Sequence, residues 1–189
     1  MTEGKPELID VLPSDGFTPE ERLELGASLE QNSEHPLAAA IVRGAKEKDI
    51  VLADVKDFRS VTAGGVAGTV TGRLVMVGKP DFLRDEKISG LEHLEASAEK
   101  LQTEGKTAMF VAIDGKPAGI LTVADPIKAT TTEAVHELHA LGLELVMLTG
   151  DNYHTAAAVA SKLDIDVVEA EIEPAGKCSL QPPAKHWSY

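Results

Sequence analysis

The chain has a single cysteine, Cys178, in 189 residues. No disulfide can close within it, and a lone thiol fits a reducing compartment. Without a second cysteine or a histidine at ligand spacing, Cys178 makes neither a copper site nor a reactive centre. Basic side chains are scarce: 18 against 31 acidic ones leave a formal net charge of −13. That balance excludes a large nucleic-acid footprint and predicts an acidic, highly soluble surface. No apolar run approaches the ~18 residues that cross a bilayer, and the N-terminus lacks the basic region and apolar core of a signal peptide. A soluble, cytosolic chain is expected. A P-loop is missing too. Gly105-Lys106-Thr107 has the ending of one, but the upstream glycine position holds Lys100 and the segment follows a helix, so it reads as a helix-stop turn.

The length allows one or two domains with a sizeable core. Thr18-Pro19-Glu20-Glu21 places a capping threonine, a proline at the first helical position and a glutamate three after the cap, predicting a helix to about Gln31. Pro36 opens a second helix, in which Leu37, Ala40, Ile41, Gly44 and Ala45 recur at helical spacing. Glycine-broken valine alternation from Val55 to Val77 predicts antiparallel sheet with a hairpin near Gly72. A helix over 91–102 and a hairpin joining 108–113 to 118–123 around Asp114-Gly115 extend it. After Asp125 the rhythm becomes helix (131–140), strand (143–148), loop (149–152), helix (153–163) and short strand (166–168), in parallel α/β style. The expected fold class combines α/β and α+β: an antiparallel sheet with flanking helices, joined near Ala124 to a partial Rossmann-like domain. Residues 181–189 read as irregular.

Three short signatures carry chemistry. Glu30 and Ser33-Glu34-His35-Pro36-Leu37 stand at the turn between the first two helices. Pro36 holds the His35 imidazole at a helix N-terminus, where the dipole favours anions, so His35 is a candidate platform or hydrogen-bond donor. Gly64-Gly65-Val66-Ala67-Gly68 and then Val77-Gly78 offer main chain that a ribose or phosphate can approach unobstructed. The apolar run to Leu148 delivers Thr149-Gly150-Asp151-Asn152 at a strand's C-terminal end, where open α/β sheets place ligands. Each alone has a plain structural reading: a capping pair, bulges in a twisted sheet, and a turn capped by Thr149 or Asp151.

In this order, with Asp125-Pro126-Ile127-Lys128 between them, the signatures resemble the cytosolic ATP-handling part of P-type heavy-metal ATPases, the copper exporters in particular, over nearly everything from Thr2 to Lys177. The resemblance implies that Glu30 and His35 contact adenine and that Gly64, Gly65 and Gly78 line the rest of ATP. The family's Gly-x-Gly-Val-x-Gly reads Ala63-Gly64-Gly65-Val66-Ala67-Gly68 here, so its first glycine is replaced by Ala63. It further implies a haloacid-dehalogenase phosphorylation domain in which Thr149 bonds the transferred phosphoryl group while Asp151 and Lys177 stabilise it and its Mg2+. Lys177 follows Glu173-Pro174-Ala175-Gly176, where the family usually has Pro-Glu-Asp. Asp125 to Lys128 would serve as a hinge or salt-bridge segment. The implied domains are the start of the phosphorylation domain (1–12), the nucleotide-binding domain (13–123), part of the phosphorylation domain (124–177) and an atypical tail (178–189). Copper would be the parent's cargo, not bound here. Implied partners are ATP and the remaining transporter domains, membrane helices and actuator, with the chain on the cytosolic face of a membrane.

The family's Asp-Lys-Thr-Gly-Thr comes directly before a Thr-Glu-Gly segment, whereas this chain begins Met1-Thr2-Glu3-Gly4. The family's later Gly-Asp-Gly-x-Asn-Asp magnesium motif has no match either. An aspartyl phosphate cannot form without its carboxylate, so nucleotide binding without turnover is expected. Two alternatives have some support. Asp164-Ile165-Asp166 resembles the Asp-x-Asp pair of small phosphatases, which would make Asp164 a nucleophile, yet it follows a helix and reads as a surface turn. Ala63 and the tail would suit a non-catalytic module derived from the transporter. His136-Glu137-Leu138-His139 spaces its histidines by three, not four, so zinc-protease geometry fails and no metal site is expected.

Overall fold

The computed structural model describes residues 2–13, 16–62, 64–150, 152–170 and 172. Ala63, Asp151, Lys177, Cys178 and the rest of the tail lie outside the described residues.

The elements run β1 (Glu7–Pro13), α1 (Pro19–Glu30), α2 (Pro36–Glu47), β2 (Val55–Val61), β3 (Gly65–Val70), β4 (Arg73–Gly78), α3 (Pro80–Asp85), α4 (Glu92–Thr103), β5 (Thr107–Ile113), β6 (Lys116–Ala124), α5 (Thr131–Ala140), β7 (Val146–Leu148), α6 (Tyr153–Leu163) and β8 (Val167–Glu169). The first six strands form one antiparallel sheet in the order β1-β6-β5-β4-β3-β2. Its two tight hairpins turn on Thr71-Gly72 and Asp114-Gly115. All four of these residues have positive φ, which a two-residue turn needs if its twist is to match the strands.

Side chains alternate across the sheet and fill two cores. Val75 and Val77 of β4 join Leu23, Leu29 and Ile41 from α1 and α2 on one face. Met76, between them, joins Phe82, Leu83 and Leu94 from α3 and α4 on the other. A helix layer therefore covers each face, and each fully buried aliphatic side chain contributes roughly 1.5–3 kcal/mol. Helix α1 starts as its sequence predicts: Pro19 is its first residue and Thr18 Oγ1 accepts the Glu21 N–H at 3.1 Å. Strand β1 and helix α3 carry no signature in the sequence reading. Residues 7–13, largely within the stretch 1–12, hydrogen-bond to β6 as an edge strand.

Beyond the sheet, β7 and β8 pair in parallel, with Met147 packed against Ala156 and Ala160 of α6. The predicted strand over 143–148 shortens to Val146–Leu148 for a local reason. Leu143 N–H completes the exit from α5 by bonding Leu138 O, and Leu145 N–H is taken by the Asp166 carboxylate at 2.7 Å. The two units are joined where two segments cross. Asp125 accepts the amides of Gly4 (3.2 Å) and Lys5 (3.1 Å), Glu3 N–H bonds Pro126 O, and Thr2 bridges Ile127. Among the described residues no helix is long and apolar enough to cross a membrane.

Candidate functional site

Glu30 is the last residue of α1 and is buried, 3% exposed. The helix end is sewn to the chain entering β2, where Gln31 Nε2 donates to Ala53 O (3.1 Å) and Ser28 Oγ accepts the Ala53 N–H (2.9 Å). Burial pushes the Glu30 carboxyl up to about 7, and a hydrogen bond with Ser33 partly opposes that shift. Among the described residues Glu30 has no ion-pair partner. A buried carboxyl held near neutrality without a cation is costly for stability alone, and such groups concentrate where a ligand is bound.

His35 is the N-cap of α2 and is exposed to solvent. Pro36, at the first helical position, has no N–H, so the first free amide belongs to Leu37. His35 Nδ1 accepts it at 3.2 Å. With Nδ1 engaged as acceptor, the ring carries its proton on Nε2, leaving a donor on the solvent side. The turn between the helices is closed by Ser33: its N–H bonds Glu30 O (3.0 Å), and its Oγ accepts the His35 N–H (3.3 Å). The sequence reading quotes Ser33 only as part of a motif. The signal that could have found it is a hydroxyl two residues before a capping side chain and three after a buried acid.

The glycines occupy the ends of β3 and β4. Gly65 pairs with Gly78 across the ladder, and Gly64 O accepts the Lys79 N–H at 2.9 Å. A Cβ on Gly65 would stand 2.6 Å from Phe82 Cδ1, and one on Gly78 2.7 Å from the same atom. The ring of Phe82 therefore fills the space that bare main chain leaves on this side. Closer to the acid, a Cβ on Gly68 would stand 2.9 Å from Leu29 Cδ1, so the residue before Glu30 sits directly on β3. Gly65 lies three residues along the same strand, about 10 Å at the usual rise. The acid–imidazole turn and the glycine patch thus meet the same strand, β3, with the Cβ position of Gly68 facing Leu29 of α1 and those of Gly65 and Gly78 facing Phe82 of α3 on the other side. An open groove of about 460 Å³ is lined instead by Ala53, Asp54, Lys56, Thr69, Thr71 and Gly72, without any of these residues. The described lining of that groove offers no buried polar group.

Thr149 lies half-buried at the end of β7, where its N–H bonds Glu169 O (3.0 Å) and its carbonyl accepts the Ile172 N–H (3.1 Å). The cap of α6 is Asn152, whose Oδ1 accepts the His154 N–H at 2.8 Å, and not Thr149. Asp164 is the residue after α6, in left-handed conformation, with its side chain 82% exposed. Asp166 is engaged: Leu145 N–H and His139 Nε2 (3.0 Å) both reach its carboxylate and hold its pKa below the usual range. That is a surface turn and gives no nucleophile geometry for Asp164. Among the described residues no group of three or more histidine, cysteine or acidic side chains is placed to hold a metal ion.

Comparison with known proteins places this geometry. A family model described as haloacid dehalogenase-like hydrolase matches residues 1–181. Copper-transporting ATPase 2 of Rhizobium meliloti (strain 1021) is 46% identical over 177 residues, 94% of this chain and 21% of that protein. The crystal structure of a zinc-transporting PIB-type ATPase in its E2.Pi state superposes with a TM-score of 0.73 at 30% identity, covering 94% of this chain and 28% of that one. The isolated N-domain of a copper-transporting P-type ATPase matches with a TM-score of 0.54 at 21% identity, over 63% of this chain and 98% of that domain, a likeness of fold alone. The chain spans about a fifth of the length of the curated relatives it matches.

Proposed function

The chain belongs to the haloacid dehalogenase-like hydrolases, and from that we propose that it is the ATP-holding portion of a copper-exporting P-type ATPase. The observation that carries this reading is the α1–α2 turn, whose two helix ends hold a buried Glu30 carboxyl, with no ion-pair partner among the described residues, and an exposed His35 whose Nε2 is left as a donor. Glu30 would accept from the adenine amino group and His35 would donate to or stack on the base. Gly64, Gly65 and Gly78 would let ribose and phosphate meet main chain on the face away from Phe82, whose ring fills the other side. A carboxylate and an imidazole held on consecutive helix ends orient a flat base without the glycine-lysine loop that the chain lacks.

Thr149 would hold a phosphoryl oxygen at the end of β7, with Asp151 and Lys177 supplying charge beside it. Mg2+ would arrive with the nucleotide and neutralise its phosphates. The sequence contains no Asp-Lys-Thr-Gly-Thr, so this chain alone would bind ATP without forming an aspartyl phosphate; the acceptor aspartate and the copper path would belong to the remaining transporter domains. Titration with Mg-ATP tests the reading. Wild type should bind at sub-millimolar to millimolar concentration and His35→Ala should weaken binding severely, about tenfold or more for loss of an oriented contact. Equal affinity in the two proteins would reject the assignment.

A further inference from the structure

We infer that the turn leaving α4 and one face of α6 form a latch that fixes how the α5–β8 unit sits on the six-stranded sheet, with Lys162 and Thr155 as its positioning residues. The inference goes beyond the nucleotide reading and stands without it. The two units are joined where residues 2–5 cross 125–127, through the Glu3, Gly4 and Lys5 amides and the Thr2–Ile127 bridge. A narrow crossing holds two bodies at one place and does not by itself set the angle between them. A second, remote contact does that, and α6 supplies it.

Lys162 Nζ donates to Glu104 O at 2.8 Å, and Thr155 Oγ1 donates to Lys106 O at 3.4 Å. The two donors stand about two helical turns apart, so both project from one face of α6. Between them Ala158 and Val159 lie against Gly105, whose Cβ position is 3.7 Å from each. Thr155 is buried there, although its neighbours Tyr153 and His154 are exposed. Glu104 is the C-cap of α4, so its carbonyl belongs to the orphaned, negative end of that helix. The Lys162 ammonium brings a cation and a donor to that end from the other unit. The receiving turn is itself fixed to the sheet, because Lys106 Nζ pairs with Glu104 at 2.7 Å and reaches Asp10 of β1 at 3.9 Å. Since α6 starts at Tyr153, just beyond Thr149 at the end of β7, the latch also sets where Thr149 stands relative to the sheet. Lys162 and Glu104 are exposed, so water competes for their bond and the latch can open at modest cost.

Distances between spin labels at Lys48→Cys and Glu133→Cys, exposed positions on the two units, test this in the full chain with Cys178→Ser. The otherwise unsubstituted protein should give one narrow distance. Thr155→Val or Lys162→Met should each raise the undocked fraction about three- to tenfold, the scale of one hydrogen bond. Together they should lose the narrow distance. Lys162→Arg keeps a donor and should retain it, as should Ser161→Ala on the same helix. A merely structural role for the two side chains would lower stability and leave the angle between the units unchanged. High salt should broaden the distribution without any substitution, because the exposed ammonium is screened, and this series decides in place of the double variant if that variant fails to fold. An unchanged narrow distance in the double variant, or a broad distribution already in the unsubstituted protein, would overturn the latch. Neither result bears on the α1–α2 turn, which His35→Ala tests separately.

Discussion

Gly65 and Gly78 face each other across the β3–β4 ladder, and the Phe82 ring of α3 lies against both. An added methyl on Gly65 would stand 2.6 Å from Phe82 Cδ1 and 2.7 Å from the Cα of Gly78; neither strand can retreat without breaking the ladder. Gly65→Ala and Gly78→Ala should each lose about 1–3 kcal/mol, the usual cost of overpacking. Gly64→Ala should be milder, because its nearest neighbours are side-chain atoms of Phe82 and Val61 at 3.3 Å. Urea denaturation reads the difference as a lowered midpoint at constant slope. If Gly65→Ala kept wild-type stability, the close approach of the two strands would not be what requires glycine there.

Glu30 makes stability depend on pH in a sense opposite to that of most carboxylates. Burial raises its folded-state pKa to about 7, above the ordinary carboxyl value of 4.5. The group therefore contributes its stability fully below about pH 4.5, and that contribution is lost as pH rises through 7, where the buried carboxyl must ionise. A shift of this size corresponds to about 3 kcal/mol between the two limits. Glu30→Gln stays neutral and should flatten this part of the curve, gaining on wild type as pH rises from 5 to 8 while losing ATP affinity. Thermal melts across that range check the first outcome and nucleotide titration the second. Parallel pH profiles for the two proteins would mean that the carboxyl is solvated in solution.

Much of this was legible because local chemistry and tertiary packing agree. Thr18-Pro19 and Pro36 announce helices that α1 and α2 bear out, and Gly72 and Asp114-Gly115 mark hairpin turns whose positive φ values glycine and aspartate tolerate, while the β-branched Thr71 is carried into the same region by its turn. Strand β1 was illegible because Glu7–Pro13 mixes acids with aliphatics and gains its strand character only by pairing with β6, more than a hundred residues away. Helix α3 has no periodic signal in the sequence because six residues give no period to count, although Pro80 stands at its first position. In the site, the types of Glu30 and His35 can be read from the motif. What joins them cannot, because the hydrogen bonds of Ser33 exist only once the turn has closed.

The crossing of the two segments offers a sharper test than global stability. Asp125 gathers the Gly4 and Lys5 amides at 3.2 and 3.1 Å, tying the segment before β1 to the chain leaving β6. These bonds are exposed, so Asp125→Ala should lower stability by only about 0.5–1.5 kcal/mol. Hydrogen exchange should nonetheless accelerate clearly at Gly4, Lys5 and Glu3, whose amides lose or share in the clip, while core amides such as Val111 remain protected. Unchanged exchange at Gly4 and Lys5 would show that the crossing is held by the Thr2–Ile127 bridge alone.

Gly105 and Lys106 separate a turn from a phosphate loop. Lys106 N–H bonds Leu101 O (3.1 Å) and Gly105 N–H bonds Gln102 O (2.9 Å), which closes α4 in a Schellman motif with Gly105 at φ +85°. The turn also seats α6: Lys162 Nζ donates to Glu104 O at 2.8 Å, and the Cβ position of Gly105 faces Ala158 and Val159 at 3.7 Å. Lys106 itself pairs with Glu104 at 2.7 Å. Gly105→Ala should therefore cost about 1 kcal/mol through the left-handed backbone, without a steric clash. Lys106→Met should leave Mg-ATP affinity as it is in wild type. A Walker-type lysine reaches the β- and γ-phosphates, so loss of binding in Lys106→Met would move the nucleotide from the α1–α2 turn to this one, and retention places the phosphate contacts elsewhere.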